Sequence, residues 1–287
     1  MRPDNDLRTI DGDVYVSPRY LAGTTGIGDP ALAPLLDLGW ELEHDDLDNC
    51  YVTAPDHRVR LGYLPEGEDD GLWRINAYED PFGPPTWGVC FNDSCPTEFV
   101  RAFTTELAKA YEKGFAYLAA PDTRDSDHDP YLVVTPLIDR GWEFHKPEPG
   151  VFAIRPADRL ASLEFTAGPL DPEGELTSRT ARWHLWAGSS IDRPAWYATA
   201  STNTPVALLT AVTRCVSDPA PLPRWRVNTF SYSKRAQLIP ILPPRPAVPT
   251  PLDVQRTAAS RRPAALPTVS VPRWSTTSRP ALPGPRR

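Results

Sequence analysis

Few residues in this 287-residue chain stand at spacings that chemistry requires. Asp125-Ser126-Asp127-His128-Asp129-Pro130 imitates the start of a calcium loop, whose alternate side-chain oxygens would ligate the ion. It fails where geometry matters: Pro130 stands where the sharp turn needs glycine, and Pro136 where a bidentate Glu should close the site. The segment reads instead as an acidic linker. Cys90 and Cys95 lie five apart, with no second pair and no histidine at finger spacing, which argues against zinc. The histidines at 44, 57, 128, 145 and 184 are scattered, and His184 falls beside Trp183 on an expected strand, where a structural role is the simpler reading. Gly23-Thr24-Thr25-Gly26-Ile27-Gly28 could offer backbone N–H groups to an anion. Its spacing fits neither the dinucleotide fingerprint nor the phosphate loop, and no Lys follows, so it is read as a flexible connection. No nucleophile elbow and no His-Glu-x-x-His run occurs. The sequence therefore assigns no catalytic residue, no metal ligand, no cofactor and no identifiable small-molecule ligand. The acidic runs 41–48 and 66–70 are read as solvated loops.

Elements that could position a site emerge from self-similarity. Pro34-Leu35-Leu36-Asp37-Leu38-Gly39-Trp40-Glu41 returns as Pro136-Leu137-Ile138-Asp139-Arg140-Gly141-Trp142-Glu143, an offset of 102. Trp73 then faces Trp183, Trp87 faces Trp196 and Pro96 faces Pro205, at offsets of 110, 109 and 109. The change in offset places an insertion in the second copy within 168–180. Six of the nine tryptophans fall into three matched pairs, which points to a shared core rather than to an aromatic binding platform. Thr135 as N-cap, Pro136 at the first helical position and Gly141 as a left-handed terminator predict a short helix. Strands are expected at 40–43, 50–53, 59–64, 72–78 and 86–91, between Asp/Gly/Pro clusters. A second helix opens at Pro96, with Phe99, Phe103 and Leu107 on one face, and its counterpart opens at Pro205. The expected fold class is α+β: a tandem repeat of a helix, a five-stranded antiparallel sheet and a helix.

Charge divides the chain differently from its net value of −7. Residues 219–287 hold 12 Lys/Arg against the single acid Asp253, or +11, and 15 of the 35 prolines; the first 218 residues carry −18. Too few apolar residues remain in the final segment to offset its ordering entropy, so it reads as a largely disordered Pro/Arg-rich tail. Extended polyproline conformation is expected at 239–246 and a docked strand at 227–233. Within it Pro223-Arg224-Trp225 returns as Pro272-Arg273-Trp274, and Arg224, Trp225, Arg273 and Trp274 are candidate binding anchors. The domain reading is 1–13 flexible, 14–117 first repeat, 118–130 acidic linker, 131–218 second repeat and 219–287 tail. No apolar h-region follows Met1 and no run approaches a membrane span, so the cytoplasm is the expected compartment; the four cysteines are read as reduced thiols.

The segment Val16-Ser17-Pro18-Arg19-Tyr20-Leu21-Ala22-Gly23, the Gly39-Trp40 step, the Trp73 strand, Pro85-Thr86-Trp87 and the Pro96 helix together resemble the actinomycete family called domain of unknown function 317. The likeness covers most of 14–110 and, more loosely, 130–217, where the second copy has no Pro-Arg-Tyr-Leu-Ala-Gly segment. The resemblance implies actinomycete origin, duplication and a cytoplasmic protein, but no chemistry. Arg19 and Tyr20 join the candidate binding residues. The function expected is that of a non-enzymatic interaction module whose partner is another protein. The alternatives are nucleic-acid association through the Arg-rich tail, and an enzyme with a site between the repeats.

Overall fold

The computed structural model describes residues 13–65, 72–118, 129–177, 181–225 and 235–241. The chain divides into two units, Met1–Leu242 and Pro243–Arg287, and the fold below belongs to the first. After strand β1 (Asp13–Ser17) the order is α1 (Asp29–Leu36), β2 (Glu41–His44), β3 (Cys50–Thr53), β4 (Val59–Leu64), β5 (Leu72–Ala77), β6 (Trp87–Phe91) and α2 (Thr97–Lys113). The same order recurs as α3 (Tyr131–Ile138), β7 (Glu143–Glu148), β8 (Val151–Arg155), β9 (Ala161–Thr166), β10 (Trp183–Ser190), β11 (Arg193–Ala200) and α5 (Val206–Ser217). A short α4 (Pro172–Thr177) occupies the insertion. Strands β12 (Leu222–Trp225) and β13 (Gln237–Pro240) follow.

The chain is α+β, and every strand pair among the described residues is antiparallel. Ten strands form one sheet in the order β2-β3-β4-β5-β6-β11-β10-β9-β8-β7. Apolar alternation sends Leu61, Ile75, Val89, Ala200 and Trp183 along one row of one face. Against the sheet lies a helix layer in which α1 packs on α2, α3 on α5, and α2 on α5. All six repeated tryptophans are buried, Trp87 and Trp196 completely.

The seam between the halves follows a local two-fold rule. Cys90 and Thr199, equivalent at an offset of 109, pair directly with each other, and Phe91–Ala198 mirrors Val89–Ala200. At one end the Asn92 N–H donates to Tyr197 O while the Tyr197 N–H donates to Asn92 Oδ1. At the other the Ser201 N–H donates to Gly88 O and the Gly88 N–H to Ser201 Oγ, which are the same two bonds carried over by 109 residues. Contacts that exchange i for j in this way define an isologous interface.

Three sequence expectations change. The first-turn signal at Thr135-Pro136 is not a helix start: α3 begins at Tyr131, whose N–H donates to Asp129 Oδ1, and Pro136 lies inside it, as Pro34 lies inside α1. A proline near the end of an eight-residue helix removes one backbone bond and is tolerated. Gly39 and Gly141 terminate both helices at φ 78°, the left-handed value that glycine adopts without a Cβ penalty. The acidic run 41–48 is not wholly loop, since Glu41–His44 is an exposed edge strand. The third change concerns the tail. Its first residues are folded: β12 and β13 flank β1 in a three-stranded sheet, with Leu222 and Leu238 buried beside Val14 and Val16. Each of these strands buries a single apolar residue, Leu222 or Leu238, so no apolar alternation stands out within proline-rich sequence. The expected strand 227–233, most of the acidic linker and run 66–70 lie outside the described residues.

Gly188, at a bulge in β10, has φ 144°, and a Cβ there would stand 2.7 Å from the Ala195 backbone nitrogen. Gly188→Ala is therefore expected to cost about 2–3 kcal/mol, read as a lowered urea midpoint with an unchanged slope.

Candidate functional site

Of the binding candidates named from sequence, Arg19, Tyr20 and Arg224 take up intramolecular work. Arg19 lies in a single 3-10 turn (Arg19–Leu21) after β1; its guanidinium donates to Ala220 O at 2.6 Å and pairs with Asp218 at 2.7 Å. The Tyr20 hydroxyl donates to Asp158 Oδ2 at 2.8 Å, and burial, then that carboxylate, push its pKa well up. Tyr20 meets Trp142 edge-on, and its carbonyl accepts the Trp196 indole N–H at 2.8 Å. The segment that the second copy lacks in sequence thus packs on the second copy. Its station is repaid in kind: a 3-10 turn at Phe115–Tyr117 precedes the second copy, and Leu118 O accepts the indole N–H of Trp87 in the first.

Arg224 cannot serve as an exposed anchor. Its side chain is 0% exposed and forms a fork with both carboxylate oxygens of Glu98, at 2.7 and 2.6 Å, while Nε donates to Gly23 O. Alternation along β12 turns Arg224 inward and leaves Trp225 half-exposed. Arg273 and Trp274 lie outside the described residues.

On the far sheet face Glu164 is buried, yet it accepts from Arg155, Ser162 and Trp186, so this polar cluster is internally satisfied. Burial pushes the Cys90 thiol up, offset in part by Arg74 and a Thr199 hydrogen bond. Among the described residues no group of three or more His, Cys, Asp or Glu side chains is placed to hold a metal ion.

What sequence reading missed is a groove of about 860 Å³ in the helix layer, built from α2 of the first copy and α3 and α5 of the second. Ala102, Thr105, Thr210 and Ala211 keep its floor low. Two of the hydroxyls around it are turned back to their own helices, Thr135 to Tyr131 O and Thr210 to Val206 O. Three of its carboxylates are already neutralised: Glu98 by Arg224, Glu106 by Lys109 and Asp218 by Arg19. Arg101, Arg140 and Arg214 line it, are exposed, and have no ion-pair partner among the described residues; Asp139 is the one acid there left unpaired. Guanidinium groups stay charged at any accessible pH and present a fork matched to carboxylate and phosphate oxygens. Cys215 lines the same groove, but burial pushes its thiol up more than Arg19 lowers it, and no histidine lines the groove to act as its base. The arrangement suits anion binding rather than nucleophilic chemistry. Each arginine on its own helix looks like an ordinary solvated charge, and only the packing of α2 on α5 and of α5 on α3 gathers the three.

The comparisons fit this division of the fold. Neither the curated proteins nor the solved structures yield a match. The model of the SPDY domain of unknown function (DUF317) matches twice, over residues 53–112 and 157–222. The first match takes in β4 to β6 and nearly all of α2, the second β9 to β11 and α5. Helices α1 and α3 and the outer hairpins fall almost wholly outside both. Two successive regions of the chain thus match the DUF317 domain, consistent with two tandem copies.

Proposed function

We propose that this chain is a non-catalytic protein-interaction module, a tandem repeat of one helix, five-strand and helix unit that takes an acidic segment of another protein in the groove between α2, α3 and α5. The observation that supports this reading is the trio Arg101, Arg140 and Arg214, without ion-pair partners, around a floor of small residues contributed by both copies. The first 218 residues carry −18, so a basic patch set in acidic surroundings favours a short anionic segment. A long polyanion would overlap the repelling surface and be disfavoured.

The test is fluorescence anisotropy of a labelled Asp/Glu decapeptide against the full chain. Binding is expected to weaken with rising salt, and Arg101→Glu combined with Arg214→Glu is expected to reduce affinity about tenfold or more. Affinity unchanged in the double variant would remove the groove from the function. A second reading draws on the +11 of residues 219–287: salt-sensitive retention of nucleic acid through that segment, which a chain ending at Ile241 should lose.

A further inference from the structure

The two copies differ in side-chain character at one corner, beneath the first helix of each. In the second copy a cavity of about 260 Å³ opens there, walled by Tyr131, Phe144, Phe152, Phe165 and Trp183. Its remaining lining is Pro130 and aliphatic, and no charged side chain reaches it. In the first copy the corresponding positions carry smaller and more polar residues. Gly28 takes the place of Pro130 and lies so near that an added Cβ would stand 3.1 Å from the Trp73 ring. Asp29 replaces Tyr131. By strand register Cys50 replaces Phe152, since Cys50 pairs with Tyr63 as Phe152 pairs with Phe165. Its thiol contacts His44 Nδ1 at 3.3 Å.

We infer that the second copy holds a binding site for a small, neutral aromatic molecule of one or two rings. Size sets the upper bound, because a dry cavity of about 150 Å³ accepts benzene and this one is less than twice as large. Charge sets the class. An anion finds no donor cation in the lining. A cation finds two of the rings already facing one, Lys146 over Phe152 at 5.8 Å and Arg182 over Phe165 at 5.4 Å. A neutral ring gains the aromatic contacts without leaving any charge desolvated.

Calorimetric titration of the full chain with indole and with naphthalene is expected to saturate at one site, with Kd of about 0.1–1 mM for roughly ten apolar atoms. Benzyltrimethylammonium and 1-naphthoate are expected to bind at least about tenfold more weakly. Ile154→Trp, which fills the cavity, should abolish indole binding, and Phe144→Ala, on the exposed rim, should weaken it about fivefold without burdening folding. Charge reversal at Arg101 and Arg214 should leave indole binding unchanged, which keeps this site separate from the groove. No saturable binding of either neutral probe, preference for a charged analogue, or equal affinity in both cavity variants would overturn the assignment. So would dimerisation, in sedimentation, that indole fails to reverse, because a second copy would then own the cavity.

Discussion

A chain ended after Asp218 is expected to melt roughly 10–20 °C below one ended after Ile241. The comparison isolates β12 and β13. Removing them strips Val14 and Val16 of both strand partners and takes away the buried Leu222 and Leu238, each worth about 2 kcal/mol. It also leaves Glu98 without its fork and Arg19 without the Ala220 carbonyl. The sum is about 5 kcal/mol or more, a large share of a typical domain's stability. Differential scanning calorimetry on the two truncations reads it directly, and equal melting temperatures would show that β1 needs neither neighbour.

Glu98→Ala is expected to cost about 3 kcal/mol by itself. The guanidinium of Arg224 would remain wholly buried with only the Gly23 and Pro223 carbonyls for company, neither of which neutralises it. Breaking a buried pair from one side is costly, whereas replacing the cation with an apolar side chain of similar length is tolerated. Arg224→Met in the Glu98→Ala background should therefore recover most of the loss. Urea denaturation of the two variants measures this. A double variant no more stable than Glu98→Ala would mean that the strand geometry, not the charge, holds the site.

The five strands β2 to β6 are readable because side-chain alternation is local. The runs 50–53 and 59–64 match β3 and β4 to the residue, and 40–43, 72–78 and 86–91 miss by no more than one. The insertion at 168–180 was readable as a change of offset, and it holds α4. The start of α3 is misread from sequence because two proline signals compete six residues apart, and Asp129-Pro130 outweighs Thr135-Pro136 through its side-chain bond to the Tyr131 N–H. The crossing of Tyr20 onto Trp196 could not be read at all. Its contacts span 138 and 176 residues, and no pattern within one copy encodes a partner in the other. The same holds for the groove, whose three arginines lie up to 113 positions apart along the chain. Tandem similarity announces that copies exist but not which surfaces they share.

The seam carries a further meaning. Repeats that stack head to tail can be added without limit, since each new unit presents the surface that the last one used. Here β6 meets its own counterpart β11, so joining two copies consumes the joining surface, and the count is complete at two. What remains outermost is β2, reading Glu-Leu-Glu-His, and β7, with Glu143, Pro147 and Glu148. Acidic residues in both edge strands, and a proline in β7, refuse further pairing. Duplication in this chain is thus a closed pair rather than the beginning of a series.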